Sequence, residues 1–428
     1  MPIKNKKELS TTPLRKAALA IAEAGLRAID TKRVIKKLVS LKGNALRIKD
    51  TFFSLEKTKH IFIIGIGKCS LDAALGIEKI LGNHITGGIV LDVRCSKLLK
   101  HIESYEGTHP LPTQQNVDVT TRIINLLKKT KRDDLVIMII SGGGSTLLCQ
   151  PRNFECQNES ALLSCLIRVG ATIQEINTVR KHLSLARGGH LAQYAYPSRV
   201  AALIFSDIPG NDISFVASGP TVKDTTTIAD AQRIFKKYTL YKKCDFTPHH
   251  LITTPKEEKY FKQVHNILAV SNSTALEAMA HKAKALGFKS IICTDCLEGE
   301  ARTVGSSITR RLKHVGPKQA LLFGGETTVT LRGHGKGGRN QELALAALPL
   351  LEKGQFVLSL ASDGRDNIDV AGALVDIKTK QKACALELNA RAFLKKNNSY
   401  EFFKQCGGHI KTGHTGSNVA DLVLALKE

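Results

Sequence analysis

Short runs of apolar, mostly β-branched residues alternate along this chain with longer segments in which apolar positions recur at helical spacing. The runs at 61–66, 89–93, 135–140 and 200–205 predict strands, and 71–80 and 117–129 predict helices. Uninterrupted apolar strands separated by helices are the pattern of a parallel sheet covered on both faces, which gives an α/β fold class. The periodicity fades across 236–262, around Pro248 and Pro255, and resumes in a strand-like run at 267–270. A boundary in that region divides the chain into domains 1–240 and 241–428. Beyond it, Leu276, Met279, Ala283 and Leu286 repeat at helical spacing up to Gly287. Strands are then predicted at 290–294, 320–323, 327–332 and 356–361, with a helix at 340–351, so the second half is also α/β.

Charge changes this picture only locally. The 428 residues carry +24, and the first sixty hold fifteen Lys or Arg against five Asp or Glu. Lys4, Lys6, Lys7, Lys32, Arg33, Lys36 and Lys37 fall in runs there, as on a solvated helical face. A nucleic-acid surface would interleave aromatic residues for base stacking, but there is no Trp and aromatic content is 5%, so no nucleic-acid partner is expected. The ten cysteines show no paired zinc-ribbon spacing and are read as reduced thiols. The longest apolar stretch, 343–351, has nine residues, short of the roughly 20 a membrane-spanning helix needs. No apolar leader follows the N-terminal lysines, and the expectation is a soluble, cytoplasmic protein without membrane partners.

Candidate chemistry collects where predicted strands run out, the edge at which α/β sheets bind ligands. Ser141, Gly142, Gly143, Gly144 and Ser145 follow the 135–140 run, and bare backbone donors there suit a phosphate. A tight turn is the competing reading. Lys68 follows Gly65 and Gly67 at the end of 61–66, where an ammonium can meet a transferring phosphoryl group. Neither the Walker pattern nor G-x-G-x-x-G is complete, since Cys69 follows the lysine and Ser70 stands at the third glycine. Arg180, Lys181 and His182 bring cationic side chains together ahead of Arg187, Gly188 and Gly189. Asp207 projects from the end of 200–205, a usual place for a Mg²⁺ ligand, although a turn aspartate reads the same. Gly324, Gly325 and Glu326 precede a loop containing Gly333, Gly335, Lys336, Gly337, Gly338, Arg339 and Asn340 that opens into a helix. Two cations beside unpaired helix N-terminal donors predict an anion site there. Asp363 follows 356–361 as a further carboxylate for a metal or a hydroxyl, and the loop of Gly413, His414, Thr415 and Gly416 leads toward the C-terminus.

In this order the motifs resemble those of the glycerate 2-kinase family, whose members carry a C-terminal domain known as MOFRL and are in some cases named hydroxypyruvate reductases. The resemblance implies a Rossmann-like N-terminal domain, a smaller C-terminal α/β domain and an active-site cleft between them. It also implies ATP-dependent phosphorylation of D-glycerate, usually to 2-phosphoglycerate, with Mg²⁺. Lys68 and Arg339 match the lysine and arginine at the chemistry. Ser141 to Ser145, Lys181, Glu326, Lys336 and Asn340 are then expected at the nucleotide, and Asp207 and Asp363 at the metal. A homodimer is left open. The sequence departs from the family at Thr108, Arg365, Asn367 and His414, which bears on substrate preference. The alternative is an NAD(P)-dependent hydroxypyruvate reductase with Asp92 at the ribose, which Ser70 in place of the third glycine disfavours.

Overall fold

The structure is a computed structural model and describes residues 3–152, 155–243 and 250–428. Pro248 of the expected boundary lies outside them. The chain forms two compact units, and neither is continuous in sequence. One comprises 34–206 and 212–269, the other 1–33, 207–211 and 270–428.

The first unit is built on a six-stranded sheet. After a small antiparallel sheet of β1 (Val39–Lys42), β2 (Ala45–Ile48) and β3 (Thr51–Ser54), the chain enters β4 (Ile61–Ile66), β5 (Gly87–Asp92) and β6 (Glu103–Glu106). It continues through β7 (Leu135–Ser141), β8 (Arg199–Phe205) and β9 (Val264–Val270), in the spatial order β6-β5-β4-β7-β8-β9. The pairs β4–β5, β5–β6, β4–β7 and β7–β8 are all parallel. Every residue of β7 is buried, because strands covered by helices on both faces have no polar side to show. Helix Ser70–Leu81 links β4 to β5, and helix Gln114–Leu127, started by a Thr113–Asn116 capping box, precedes β7. This is the Rossmann-like strand order, in which the chain runs outward first to one side of β4 and then to the other.

The second unit has a mixed sheet of β10 (Lys289–Leu297), β11 (Gln319–Gly325), β12 (Gln355–Ala361), β13 (Gly372–Asp376), β14 (His409–Ile410) and β15 (Asp421–Lys427). Its order is β10-β11-β15-β12-β13-β14, with only β10 and β11 parallel. Helices Ala301–Lys313 and Arg339–Ala347 close over a core that includes Leu321, Leu343, Val357, Val375, Phe402 and Val423.

Several expectations need correction. The units do not follow a single cut at 240/241, because the N-terminal residues pack with the C-terminal ones. Helix Pro13–Ala28 presents Gly25 to Met279, where a Cβ would lie 2.8 Å from Met279 Cγ. Arg15 adds a buried two-point bond to Asp376, at 2.7 and 2.6 Å. Residues 327–332 do not form a strand and make one isolated bridge, Glu300 to Thr328. The helix expected to reach 351 ends at Ala347 and tightens into a 3₁₀ turn over Leu348–Leu350, since Pro349 supplies no backbone donor. Among the described residues Cys165 is disulfide-bonded, and the other eight cysteines form no disulfide, so the expectation of reduced thiols throughout does not hold. The basic run Lys32, Arg33, Lys36 and Lys37 is exposed on helix Thr31–Leu38, as a solvated face. Among the described residues no helix is long and apolar enough to cross a membrane.

Candidate active site

In the parallel-sheet unit the chain reverses direction between β4 and β7, so the loops leaving these neighbours diverge and open a crevice at their carboxyl ends. Both predicted glycine motifs stand there. Gly67 follows β4 at φ +110°, and a Cβ on it would come within 2.2 Å of Ser141 Oγ. Only glycine permits so close an approach. Ser141 is buried and ties the two turns together, donating to Ile66 O at 3.3 Å and accepting the Cys69 N–H at 3.4 Å. The Lys68 N–H donates to Gly142 O at 3.0 Å, and its side chain lies along Gly143, where a Cβ would sit 3.1 Å from Lys68 Cγ. Gly143 is itself left-handed at φ +81°. Among the described residues no carboxylate lies within ion-pair distance of Lys68, and the N–H groups of Gly143, Gly144 and Ser145 donate to no protein acceptor. A half-buried ammonium and three backbone donors are therefore available together.

Two further residues neighbour this turn: Arg180, which the sequence set apart only as one of three adjacent cationic residues, and His109, which it did not pick out. Arg180 Nη2 donates to Ser145 O at 2.7 Å, and its Nε lies 3.4 Å from Glu159 Oε1. The same Glu159 oxygen faces Arg187 Nη1 at 2.6 Å, so one buried carboxylate serves two guanidiniums. Burial and the Arg187 charge lower the Arg180 pKa to about 10. His109 completes the group. Crowding round its ring, with the charges of Lys68 and Arg180, holds the imidazole at about 4, so it is neutral at ordinary pH. Ser145 Oγ lies 2.9 Å from Ser218 Oγ, which donates to Asn177 Oδ1 at 2.7 Å. Ala217 and Ser218 are held at φ +51° and +59°, a conformation that non-glycine residues adopt at a cost. Lys181, one position along helix Ile173–Lys181, turns elsewhere. It is buried 3.3 Å from Asp224, a carboxylate that also takes Thr226 and Thr254 hydroxyls. Adjacent helical residues point about 100° apart, so Arg180 reaches the glycine turn while Lys181 does not. Composition could not separate the two.

In the mixed-sheet unit the second glycine-rich region has a different character. Arg339 gives two hydrogen bonds to the buried Asp421, at 2.6 and 3.0 Å, and its Nη1 meets Glu326 at 2.6 Å. These carboxylates raise its pKa against the opposing effect of burial. The helix N-terminus expected to be open is filled. Asp366 accepts the Asn340 and Gln341 N–H groups at 3.0 and 2.9 Å, and their side-chain amides at 3.2 and 2.9 Å. Gly338 makes room for that carboxylate, since a Cβ there would stand 2.3 Å from Asp366 Cγ. Asn340 is buried, and its side-chain Oδ1 accepts the Ser359 hydroxyl at 2.5 Å. Lys336 is exposed, and its loop is fixed by Asn398 Oδ1, which accepts its N–H at 3.0 Å.

Asp207 and Asp363 also belong to this unit. Asn418 Nδ2 donates to Asp207 Oδ2 at 3.2 Å, and Asp363 Oδ1 accepts the Arg365 N–H at 2.9 Å. Among the described residues no three His, Cys, Asp or Glu side chains converge as a metal cage. Mg²⁺ seldom needs one, because it keeps several waters and takes one or two carboxylates beside nucleotide phosphates. Half-buried aspartates at strand ends fit that donor set.

Asp92 does not fit a ribose contact. It is fully buried at the end of β5, and its Oδ2 accepts the Leu71 N–H at 3.0 Å, at the start of helix Ser70–Leu81. Burial raises its pKa to about 6. The helix end that would receive a dinucleotide pyrophosphate is already capped by the chain itself.

Comparison with known proteins agrees with this architecture. Residues 17–252 match a family described as "Domain of unknown function (DUF4147)", and 319–421 match the MOFRL family. A glycerate 2-kinase from Pyrococcus horikoshii is 35% identical over 96% of this chain and 97% of its own length. The crystal structure of a glycerate kinase from Thermotoga maritima superposes with a TM-score of 0.84 at 31% identity, covering 97% of this chain and 99% of that one. A relative from Agrobacterium vitis, 37% identical over 84% of this chain and 97% of its own, bears a provisional hydroxypyruvate reductase name. With matches of this extent at both ends of the chain, the protein belongs to the glycerate 2-kinase family.

Proposed function

We propose that this protein transfers the γ-phosphoryl group of ATP to D-glycerate and releases 2-phosphoglycerate and ADP. The observation that carries this reading is Lys68, an ammonium without a carboxylate partner among the described residues, laid across a three-glycine turn at the reversal point of a parallel sheet. Phosphoryl transfer asks a protein for positioning and for positive charge around the phosphoryl oxygens more than for covalent chemistry. Lys68 supplies charge, Gly143, Gly144 and Ser145 supply backbone donors, and Ser141 holds the two turns in register, with the Gly142 carbonyl accepting the Lys68 N–H. Arg180 adds a second cation, while the neutral His109 leaves the space beside Lys68 uncharged. A glycerate hydroxyl oxygen attacks the γ-phosphorus as the bond to the β,γ-bridging oxygen breaks, and the hydroxyl proton leaves to a base or to water.

Arg339 is proposed as a further catalytic residue, oriented by Asp421 and Glu326. Mg²⁺, carried in with ATP, would be held by Asp207 and Asp363 and would neutralise phosphate charge. Lys181 and Asn340 are buried and committed to protein partners, so any part they take in nucleotide binding is indirect. Lys336 remains a candidate for the outer phosphates. We further place the protein in the cytoplasm. We also propose a homodimer, for which the exposed Ile291 and Ile292 on edge strand β10 speak; light scattering on the purified chain reads its mass.

The deciding measurement is ADP release with D-glycerate, with the product position assigned by phosphorus NMR. One ADP per phosphoglycerate is expected, with no nicotinamide absorbance change on hydroxypyruvate. NADH oxidation with hydroxypyruvate and no ADP release with glycerate would reverse the assignment.

A further inference from the structure

A second cationic site lies in the mixed-sheet unit, at the end of helix Arg339–Ala347 opposite to its glycine-rich loop. A groove of about 380 Å³ is lined by Arg302, Thr303, Ser306 and Arg310, by Ala346, Pro349 and Leu350, and by Arg391 and Leu394. Arg302, Ser306 and Arg310 are spaced i, i+4, i+8 on helix Ala301–Lys313 and so share one face. The opposite wall is the end of helix Arg339–Ala347 with its 3₁₀ turn, and helix Ala390–Lys395 brings Arg391 and Leu394. The two longer helices meet at Gly305, where a Cβ would come within 2.1 Å of Leu343 O, so the walls are rigid backbone in direct contact.

The charge on this groove is uneven. Arg302 is neutralised by Glu342 and by Glu300, the latter at 3.3 Å. Ser306 is engaged with the Arg302 and Ala346 carbonyls at 2.9 and 3.5 Å. Arg310 and Arg391 are exposed, and neither pairs with a carboxylate among the described residues. No Asp or Glu lines the groove. Last-turn cations complement a helix dipole, which accounts for a basic residue at 310 but not for Arg391 on another helix. Two guanidiniums and the Thr303 hydroxyl above an apolar floor suit a ligand with a doubly charged head and a small carbon body. The volume lies within the usual range of small-molecule pockets, about 300–1,000 Å³.

We propose that this groove binds a small organic phosphomonoester, with Arg310 and Arg391 on the phosphate and Pro349, Leu350 and Leu394 against its carbon skeleton. The assignment is independent of the reading of Lys68 and its glycine turn.

The test is calorimetric titration of the full chain with phenyl phosphate, with inorganic phosphate and phenol run alongside. One saturable component is expected to survive in Lys68→Ala and to weaken at least tenfold in the Arg310→Ala, Arg391→Ala double variant. Phenol should not bind there, and inorganic phosphate should bind more weakly than phenyl phosphate. The single variant Arg391→Gln, at an exposed position, guards against misfolding and should weaken the same component while glycerate turnover stays unchanged. The proposal is overturned if no component survives in Lys68→Ala, or if the surviving one ignores both arginine changes. Equal binding of inorganic and phenyl phosphate overturns the assignment of the apolar floor.

Discussion

The two glycine-rich regions look alike as strings of letters and differ as chemistry. At the β4–β7 crevice, among the described residues, Lys68 lies over Gly143 with no carboxylate against it, and the N–H groups of Gly143, Gly144 and Ser145 have no protein acceptor. In the 333–339 loop the corresponding groups are already answered from within the chain: Asp366 fills the helix N-terminus, and Asp421 and Glu326 hold Arg339. A glycine-rich turn with a cation is thus available to an outside anion only where the fold withholds its own anions. Where it supplies them, the same composition builds a rigid, precharged frame that orients an arginine.

Removing Lys68 should have the largest effect. Lys68→Ala is expected to lower kcat/KM for glycerate phosphorylation at least a thousandfold, or about 4 kcal/mol of transition-state stabilisation, with unchanged urea unfolding. A loss below tenfold would erase the contrast between the regions. Asp366→Ala tests the other side. It leaves four donors of Asn340 and Gln341 without their buried acceptor and should reduce unfolding free energy by about 3 kcal/mol in urea denaturation. An unaltered midpoint would mean that the helix end was open to an outside anion after all.

A smaller effect is expected from His409, buried beside the same helix with Nε2 at 3.2 Å from Gln341 Oε1. Burial, reinforced by Lys411, lowers its pKa from 6.5 to about 4. The folded state therefore binds fewer protons than the unfolded state between these values. Stability attributable to this neutral ring is complete above pH 6.5 and declines as pH falls toward 4, by at most about 3 kcal/mol. His409→Gln should flatten that stretch of the stability profile, and an identical slope in the variant would discount the ring. Least of all is expected from Lys336→Ala, where an exposed lysine on the precharged loop should cost about twofold in KM for ATP at most. A loss matching that of Lys68→Ala would restore the equivalence of the two loops.

Much of the frame was legible in the sequence, because strands buried on both faces cannot hide their composition. The 61–66, 135–140 and 200–205 runs became β4, β7 and β8 within a residue at each end. The strand expected at 327–332 failed because its apolar residues, Val329 and Leu331, alternate without a partner strand to pair with, and β15 lies beside β11 instead. Lys68 and the three glycines were visible, since few other roles bring such residues to a strand end. Arg180 was legible only as one of three neighbouring cationic residues, and His109 was not picked out as a site residue, because their membership depends on the phase of one helix and the path of one loop.

By itself the amino-acid order determined the alternation of strand and helix, the places where backbone would be left bare, and the family to which the chain belongs, since each is a local or linear property. Tertiary structure alone decided which charges remain uncompensated. Asp366 lies 26 and 25 residues from Asn340 and Gln341, Asp421 lies 82 from Arg339, and the partner of Arg15 is 361 residues away. Electrostatic fate depends on distance through space, and in this fold segments remote in sequence bring the carboxylates that turn one glycine loop into a frame and leave the other with its donors unanswered.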